Sequence, residues 1–202
     1  MRTRPPSLKR VVISTANRDK LRELRRLLRG SGLSVIGLRP EQLEKLPPER
    51  GSTYRANARA KARAAAADTG LPALGDDSGL EVYALGGRPG LLSSRWRPTT
   101  RARNSALLRA LARRSDASRR ARFVCAICLA LPAGRSWTRQ ASCAGRIALA
   151  QRGRSGFGYD PVFIVDGGGG RTMAELGAAH KDRLGHRGRA LRKLWPRLLS
   201  LP

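Results

Sequence analysis

From Phe123 to Ala133 the chain runs eleven residues without a charge, in a protein where 27% of residues are charged. A run of this kind has to be enclosed. It is too short to cross a bilayer, which takes about 20 residues. Its β-branched, aromatic and small residues, from Phe123 to Leu131, read as a buried strand. The run contains a C-x-x-C, Cys125 and Cys128. On a strand a spacing of three puts the two side chains on opposite faces, so packing outweighs a shared zinc or redox site. Three cysteines, an odd number, imply no disulfide framework. The N-terminal apolar run, Val11 to Ile13, is too short for a signal peptide. The expectation is a soluble cytoplasmic protein with no membrane segment. At 202 residues and 41% hydrophobic content it is one domain or two intimate lobes, neither disordered nor collagen-like.

Forty-one Lys and Arg against 14 Asp and Glu give a net charge of +27. Such a chain attracts polyanions, nucleic acids and nucleoside triphosphates alike. Arg is spread along the whole sequence, and 4% aromatic content offers no visible stacking platform for single strands. A nucleic-acid partner therefore stays open, beside plain Arg-biased composition.

Around the buried strand the chain alternates elements. Residues 1–9 read as a basic tail and 10–202 as the single domain. Arg10–Ser14 is a first strand, and Asp19–Leu28 a helix with Leu21, Leu24, Leu27 and Leu28 on one face, stopped by Gly30 and Gly32. Ser34–Leu38 is a second strand, and Pro40–Arg50 a loop with a turn of helix. Ser52 or Thr53 caps an Ala-rich helix that ends before Gly70. Ala73–Gly75 is a short strand delivering Asp76-Asp77-Ser78-Gly79, and Leu80–Leu85 a separate extended segment. Asn104–Arg114 is helical. Ala121–Leu131 and Arg135–Leu149 form two antiparallel strands, Pro161–Val165 another strand, and Met173–Leu176 a turn or short helix. An amphipathic helix, Gly188–Leu199, closes the chain. The fold class is α/β or α+β with one sheet.

Four segments could carry chemistry. Thr15-Ala16-Asn17-Arg18-Asp19-Lys20 joins a strand to a helix, where free N–H groups and the helix dipole favour anions; a plain N-cap is the alternative. Asp76 and Asp77 suit Mg²⁺, which takes one or two carboxylates plus phosphate oxygens and water, although Asp, Ser and Gly also suit a turn. Glu49 is a loop acid, by itself more simply solvated. Gly156-Phe157-Gly158-Tyr159-Asp160 offers an aromatic ring between glycines, for a base sandwich or for a packed loop. Lys181, His186 and Arg187 suit a phosphate and the carbonyls of a base edge, or else a helix cap.

Taken in order, Thr15-Ala-Asn17-x-x-Lys20, Asn57-Ala58-x-x-Lys61-Ala62, Asp76-Asp77-Ser78-Gly79-Leu80, Leu85-Gly-Gly-x-Pro-Gly90, Ser94-Arg95, Gly156-Phe-Gly-Tyr-Asp-Pro161, Ala174-Glu175-Leu176 and His186-Arg187 resemble the inosine/xanthosine triphosphate pyrophosphatases. The resemblance covers about residues 10–195. It implies an elongated two-lobed α/β fold, with a long mixed β-sheet flanked by helices and a nucleotide groove between the lobes. It also implies a homodimer, Mg²⁺, and hydrolysis of ITP, dITP and XTP to the monophosphate and pyrophosphate. By matching position, Asp77 is the catalytic carboxylate. Glu49 and Asp77, with Asp76 adjacent, are the metal acids. Thr15 through Lys20 bind phosphate, and Ser78 touches substrate. Phe157, Gly158, Tyr159 and Asp160 form the base loop, and Lys181, His186 and Arg187 supply the remaining contacts.

The chain departs from the family pattern at Ala16 (Gly in the family), Ala56 (Glu), Gly185 (Ser) and Trp96-Arg97-Pro98. Ala16 requires a loop backbone at negative φ or under strain. Ala56 removes half of a capping box, worth about 1 kcal/mol or less if the Glu were only a cap. Two other readings remain: a Maf-like pyrophosphatase with a different base preference, and a basic nucleic-acid-binding protein on a degenerate enzyme fold.

Overall fold

The structure is a computed structural model that describes residues 9–112 and 119–201. Its strands are β1 (Lys9–Ser14), β2 (Leu33–Gly37), β3 (Ala73–Val82), β4 (Arg120–Ala130), β5 (Ser136–Ile147) and β6 (Phe163–Val165). Its helices are α1 (Arg18–Leu27), α2 (Pro40–Glu44), α3 (Tyr54–Thr69), α4 (Thr100–Ala110), α5 (Ala178–Leu184) and α6 (His186–Leu199). The strands form one mixed sheet in the order β2-β1-β3-β4-β5-β6. β1 pairs in parallel with β2 and β3, and every pairing from β3 to β6 is antiparallel.

β4 carries most of the uncharged run, and it lies at the centre of the sheet with helices over both faces. Cys125, Ile127 and Leu129 pack against Leu24 of α1, Leu28 at its C-terminal cap, and Leu191, Leu194 and Leu198 of α6. Burying each such Leu or Ile stabilises the fold by about 1.5–3 kcal/mol relative to exposure. On the other face Val124, Ala126, Cys128 and Ala130 meet Ala58, Ala62, Ala65 and Ala66 of α3. Cys125 and Cys128 thus sit in different packing clusters, as their spacing requires. Alanine against alanine lets α3 approach the sheet closely. A Cβ on Gly75 would lie 2.2 Å from the Ala58 carbonyl oxygen, so only glycine fits there. α3 starts at Thr53, whose side chain accepts from Ala56 N at 3.1 Å, and ends on Gly70 with φ 65°. The threonine half of the capping box is present despite Ala56.

A second lobe forms where the sheet curls past α3. Leu80, Val82, Phe123, Ile147 and Phe163 close there against Leu107 and Leu111 of α4, with Tyr159 and Met173. Several boundaries differ from those expected. Ala73–Gly75 and the segment from Leu80 belong to one ten-residue strand, because all of β3 pairs with β4; only Tyr83–Leu85 leaves it, as a 3₁₀ turn. α4 starts four residues early, capped by Thr99, and the expected end at Arg113–Arg114 lies outside the described residues. β5 ends at Ile147, and Pro161 lies in a 3₁₀ turn before β6. α5 was not expected, and α6 begins at His186 rather than Gly188. β1 starts at Lys9, and the rest of the basic tail lies outside the described residues. Among the described residues no helix is long and apolar enough to cross a membrane.

Candidate active site

β3 carries the two adjacent acids, and on a strand neighbours point to opposite faces. Asp76, 1% exposed, turns toward α1 and α6: Lys20 Nζ lies 2.7 Å from one of its oxygens and Arg187 Nε 3.0 Å from the other. Cys125 Sγ donates to the same carboxylate at 3.1 Å. Burial opposes the charge, but Arg187 and Lys20 outweigh it and hold Asp76 far below the usual carboxylate range. Asp77 turns toward α3. Asn57 Nδ2 donates to it at 2.8 Å, and the Ser78 N–H donates at 2.9 Å. Burial pushes the Asp77 carboxyl up, and the nearby charge of Glu49 adds to the rise. Glu49 is paired with Lys61 at 2.5 Å and Arg95 at 2.6 Å. Its pKa is lowered, burial being overcome by those cations.

From Asp76 an ion-pair network runs on. Arg187 also reaches Glu23 at 3.1 Å and donates to Ser78 Oγ at 3.0 Å. Lys181 sits 3.4 Å from Glu23 and 2.6 Å from Asp160. Glu23 is held at about 2, burial being outweighed by Arg187 and Lys181. Asp160 closes its own loop by accepting from Phe157 N at 2.7 Å. Lys181 Nζ and the Arg187 guanidinium lie 4.6 and 5.7 Å from the centre of the Phe157 ring, a favourable cation–π placement.

These groups surround a cleft of about 410 Å³, within the usual size of small-molecule sites. Of the residues expected to bind phosphate, Thr15, Ala16, Asn17, Asp19 and Lys20 line it, whereas Arg18 is exposed outside it. Asn17 caps α1 by accepting from Asp19 N and Lys20 N at 2.9 and 3.0 Å. No described non-glycine residue has positive φ, so Ala16 sits unstrained. Glu49, Asp77, Ser78, Phe157, Gly158, Tyr159, Asp160, Lys181, His186 and Arg187 also line the cleft. Asp76 does not. Tyr159 is anchored by its hydroxyl donating to the Ser93 carbonyl at 3.0 Å. His186 stacks on Phe123, 4.6 Å between ring centres and 12° from parallel. Burial and the Arg187 charge lower its pKa to about 3, so the ring is neutral.

Four residues here carried no assigned role from sequence: Glu23, Asn57, Lys61 and Arg95. Glu23 falls three residues after Lys20, hence on the same face of α1. Asn57 and Lys61 are likewise one turn apart on α3. Among the described residues no group of three or more His, Cys, Asp or Glu gathers as a metal cage. Glu49 and Asp77 are two oxygen-donor side chains that both line the cleft.

The fold and the cleft define an α/β protein built to hold a ligand with an anionic end and a flat ring. The Ham1 family profile matches residues 11–197, and the chain belongs to the Ham1 family. It is 46% identical over 196 residues to the dITP/XTP pyrophosphatase of Symbiobacterium thermophilum, covering 96% of this chain and 98% of that one. The dITP/XTP pyrophosphatase of Thermus thermophilus is also 46% identical, covering 92% and 89%. Among solved structures, a HAM1 protein from Coxiella burnetii superposes with a TM-score of 0.80 at 39% identity, covering 96% of this chain and all of that one.

Proposed function

We propose that this chain hydrolyses non-standard purine nucleoside triphosphates (dITP, ITP and XTP) to the monophosphate and pyrophosphate, with Mg²⁺ as cofactor. The observation that carries the reading is one cleft joining a capped helix N-terminus and Lys20 to the Phe157 ring, with Glu49 and Asp77 on its wall.

Mg²⁺ prefers oxygen ligands and keeps several waters. Glu49 and Asp77 fit it: both are oxygen donors, and their mutual repulsion and the burial of Asp77 would be relieved by a cation. When bound, the ion offsets charge on the phosphate oxygens. Asp76 has a different part. Its oxygens face Lys20, Arg187 and Cys125, so it acts as the counter-ion that fixes those cations rather than as a metal ligand.

Lys20 and the N-terminus of α1 bind the triphosphate. Asp77, oriented by Asn57 and raised in pKa by burial, positions a water against the α-phosphorus and takes its proton. A water-oxygen–phosphorus bond forms, the bridge to the β-phosphate breaks, and pyrophosphate leaves. Phe157 stacks on the purine. Three of the five N–H donors of Arg187 are engaged by Asp76, Glu23 and Ser78, leaving two for the 6-oxo group of hypoxanthine and xanthine; guanine carries that group too, so its rejection has to rest on its 2-amino group. Adenine presents an amino group there, and buried donors left unpaired discriminate by orders of magnitude. The enzyme works in the cytoplasm as a homodimer, a state that sedimentation reads directly.

Pyrophosphate release from dITP, XTP, dGTP and dATP, each with Mg²⁺ and with chelator, tests this reading. Fast metal-dependent release from dITP or XTP, with little from the others, is expected. Equal rates on all four, or none on any, overturn it.

A further inference from the structure

Arginine looks evenly scattered in the sequence, but folding gathers part of it. Arg55 of α3, Arg122 of β4, and Arg189, Arg192 and Lys193 of α6 line an open groove of about 780 Å³. The groove shares no lining residue with the cleft. Val124, Gln140, Ala141 and Ser142 complete the lining, beside a stretch of β5 that β6 does not cover. Among the described residues β6 pairs with Gly145–Ile147 alone. Arg189 and Lys193 instead reach the Ser142 and Gln140 carbonyls, at 3.3 and 3.4 Å.

Among the described residues most of the charge in this groove has no acid beside it. Arg122 is paired with Glu81 at 2.7 Å. Among the described residues the other four have no carboxylate partner, and their hydrogen bonds go to backbone carbonyls. Four unpaired cations around one concavity repel one another, and a polyanion would remove that repulsion. The cations are also extended. Arg189 and Lys193 are separated along α6 by about 6 Å, close to two steps of 3.4 Å along a nucleic-acid strand. Arg55 and Arg122 continue the positive surface onto α3 and β4. A single phosphate cannot use such a row, but a polymer of phosphates can. Among the described residues no aromatic ring and no acid lines the groove, so none of them stacks on or reads a base.

We propose that this groove binds the sugar-phosphate backbone of nucleic acid, through α6 cations along the open edge of β5 and without sequence preference. The inference is independent of the proposed hydrolysis.

The test is fluorescence anisotropy on the full chain with a short labelled DNA strand of mixed sequence, titrated at several salt concentrations. Two triple variants with the same net charge are compared. One removes groove cations (Arg55→Gln, Arg189→Gln, Lys193→Gln); the other removes exposed cations elsewhere (Arg29→Gln, Arg88→Gln, Arg171→Gln). The groove variant is expected to bind about tenfold more weakly, with a salt slope shallower by about 2, since each single-strand phosphate contact contributes about 0.7. The control should bind like the parent, and both variants should keep the parent's pyrophosphatase rate. Equal losses in the two variants, or no loss in either, overturn the proposal. So does binding to anionic vesicles without binding to DNA, which would make the groove a membrane contact. Loss of self-association in the groove variant without any DNA binding also overturns it, making this face an interface between copies.

Discussion

Asp76→Asn isolates the charge balance of the buried network. Three carboxylates, Asp76, Glu23 and Asp160, face three cations, Lys20, Arg187 and Lys181. Asparagine keeps the volume and one accepting oxygen, but leaves one buried positive charge without a counter-ion. Breaking a buried pair from one side costs about 3–5 kcal/mol, against a total stability of about 5–15 kcal/mol for a domain. For a chain of this length each kcal/mol moves Tm by about 2–4 °C, so a fall of about 6–20 °C is expected. The pH dependence separates charge from shape. The Asp76 pKa is depressed in the folded state, so its contribution is fully present above the unfolded carboxylate value and is lost as pH falls toward the folded one. The gap between parent and variant should therefore be constant from neutral pH down to about 5 and close below about 4. Urea denaturation at a series of pH values measures it. A gap under about 1 kcal/mol at pH 7, well below the cost of an unpaired buried charge, would refute the reasoning, as would a gap that stays unchanged in acid.

Asp77→Asn should lower turnover about a thousandfold or more while leaving Tm unchanged or higher, because it removes a buried charge whose pKa is already raised; pyrophosphate assays and calorimetry read both. Gly75→Ala should cost about 1–3 kcal/mol or more by overpacking, since the new Cβ meets backbone at 2.2 Å. Its kcat should fall as α3 carries Asn57 and Lys61 away from the acids. His186 is neutral in the fold, with a pKa of about 3, and protonates near 6.5 once unfolded. Stability should therefore drop as pH falls from about 6.5, by up to 1.4 kcal/mol per unit from this group. His186→Gln should flatten that part of a denaturation series.

Patterns set by local chemistry were the readable ones. The β4–β5 pair, the Thr53 and Gly70 ends of α3 and the Leu face of α1 all appear where periodicity and capping put them. The misses have tertiary causes. Asp-Asp-Ser-Gly is turn-like alone, but pairing with β4 along ten residues keeps it extended. α5 is seven residues between two glycines, too short to show a period. Asp76 and Asp77 looked like one acidic site, and only the strand divides them between two faces. Glu23 has no assigned role in the sequence, because nothing local to α1 announces that Arg187 and Lys181 arrive from the far end of the chain.

The continuous β3 makes the site tolerant of one kind of genetic change and intolerant of another. Gly75 fits against the backbone of α3, and a Cβ on Gly79 would lie 2.2 Å from the Gly90 carbonyl oxygen. The acid pair is thus bracketed by two close-fitting points. Substitutions within β3 can be absorbed one side chain at a time. Inserting or deleting a single codon between those glycines would swap the faces of every residue beyond it. An insertion ahead of Asp76 would turn Asp76 and Asp77 each to the other's face in one step, so lineages of this protein should vary in length in their loops and never within this strand.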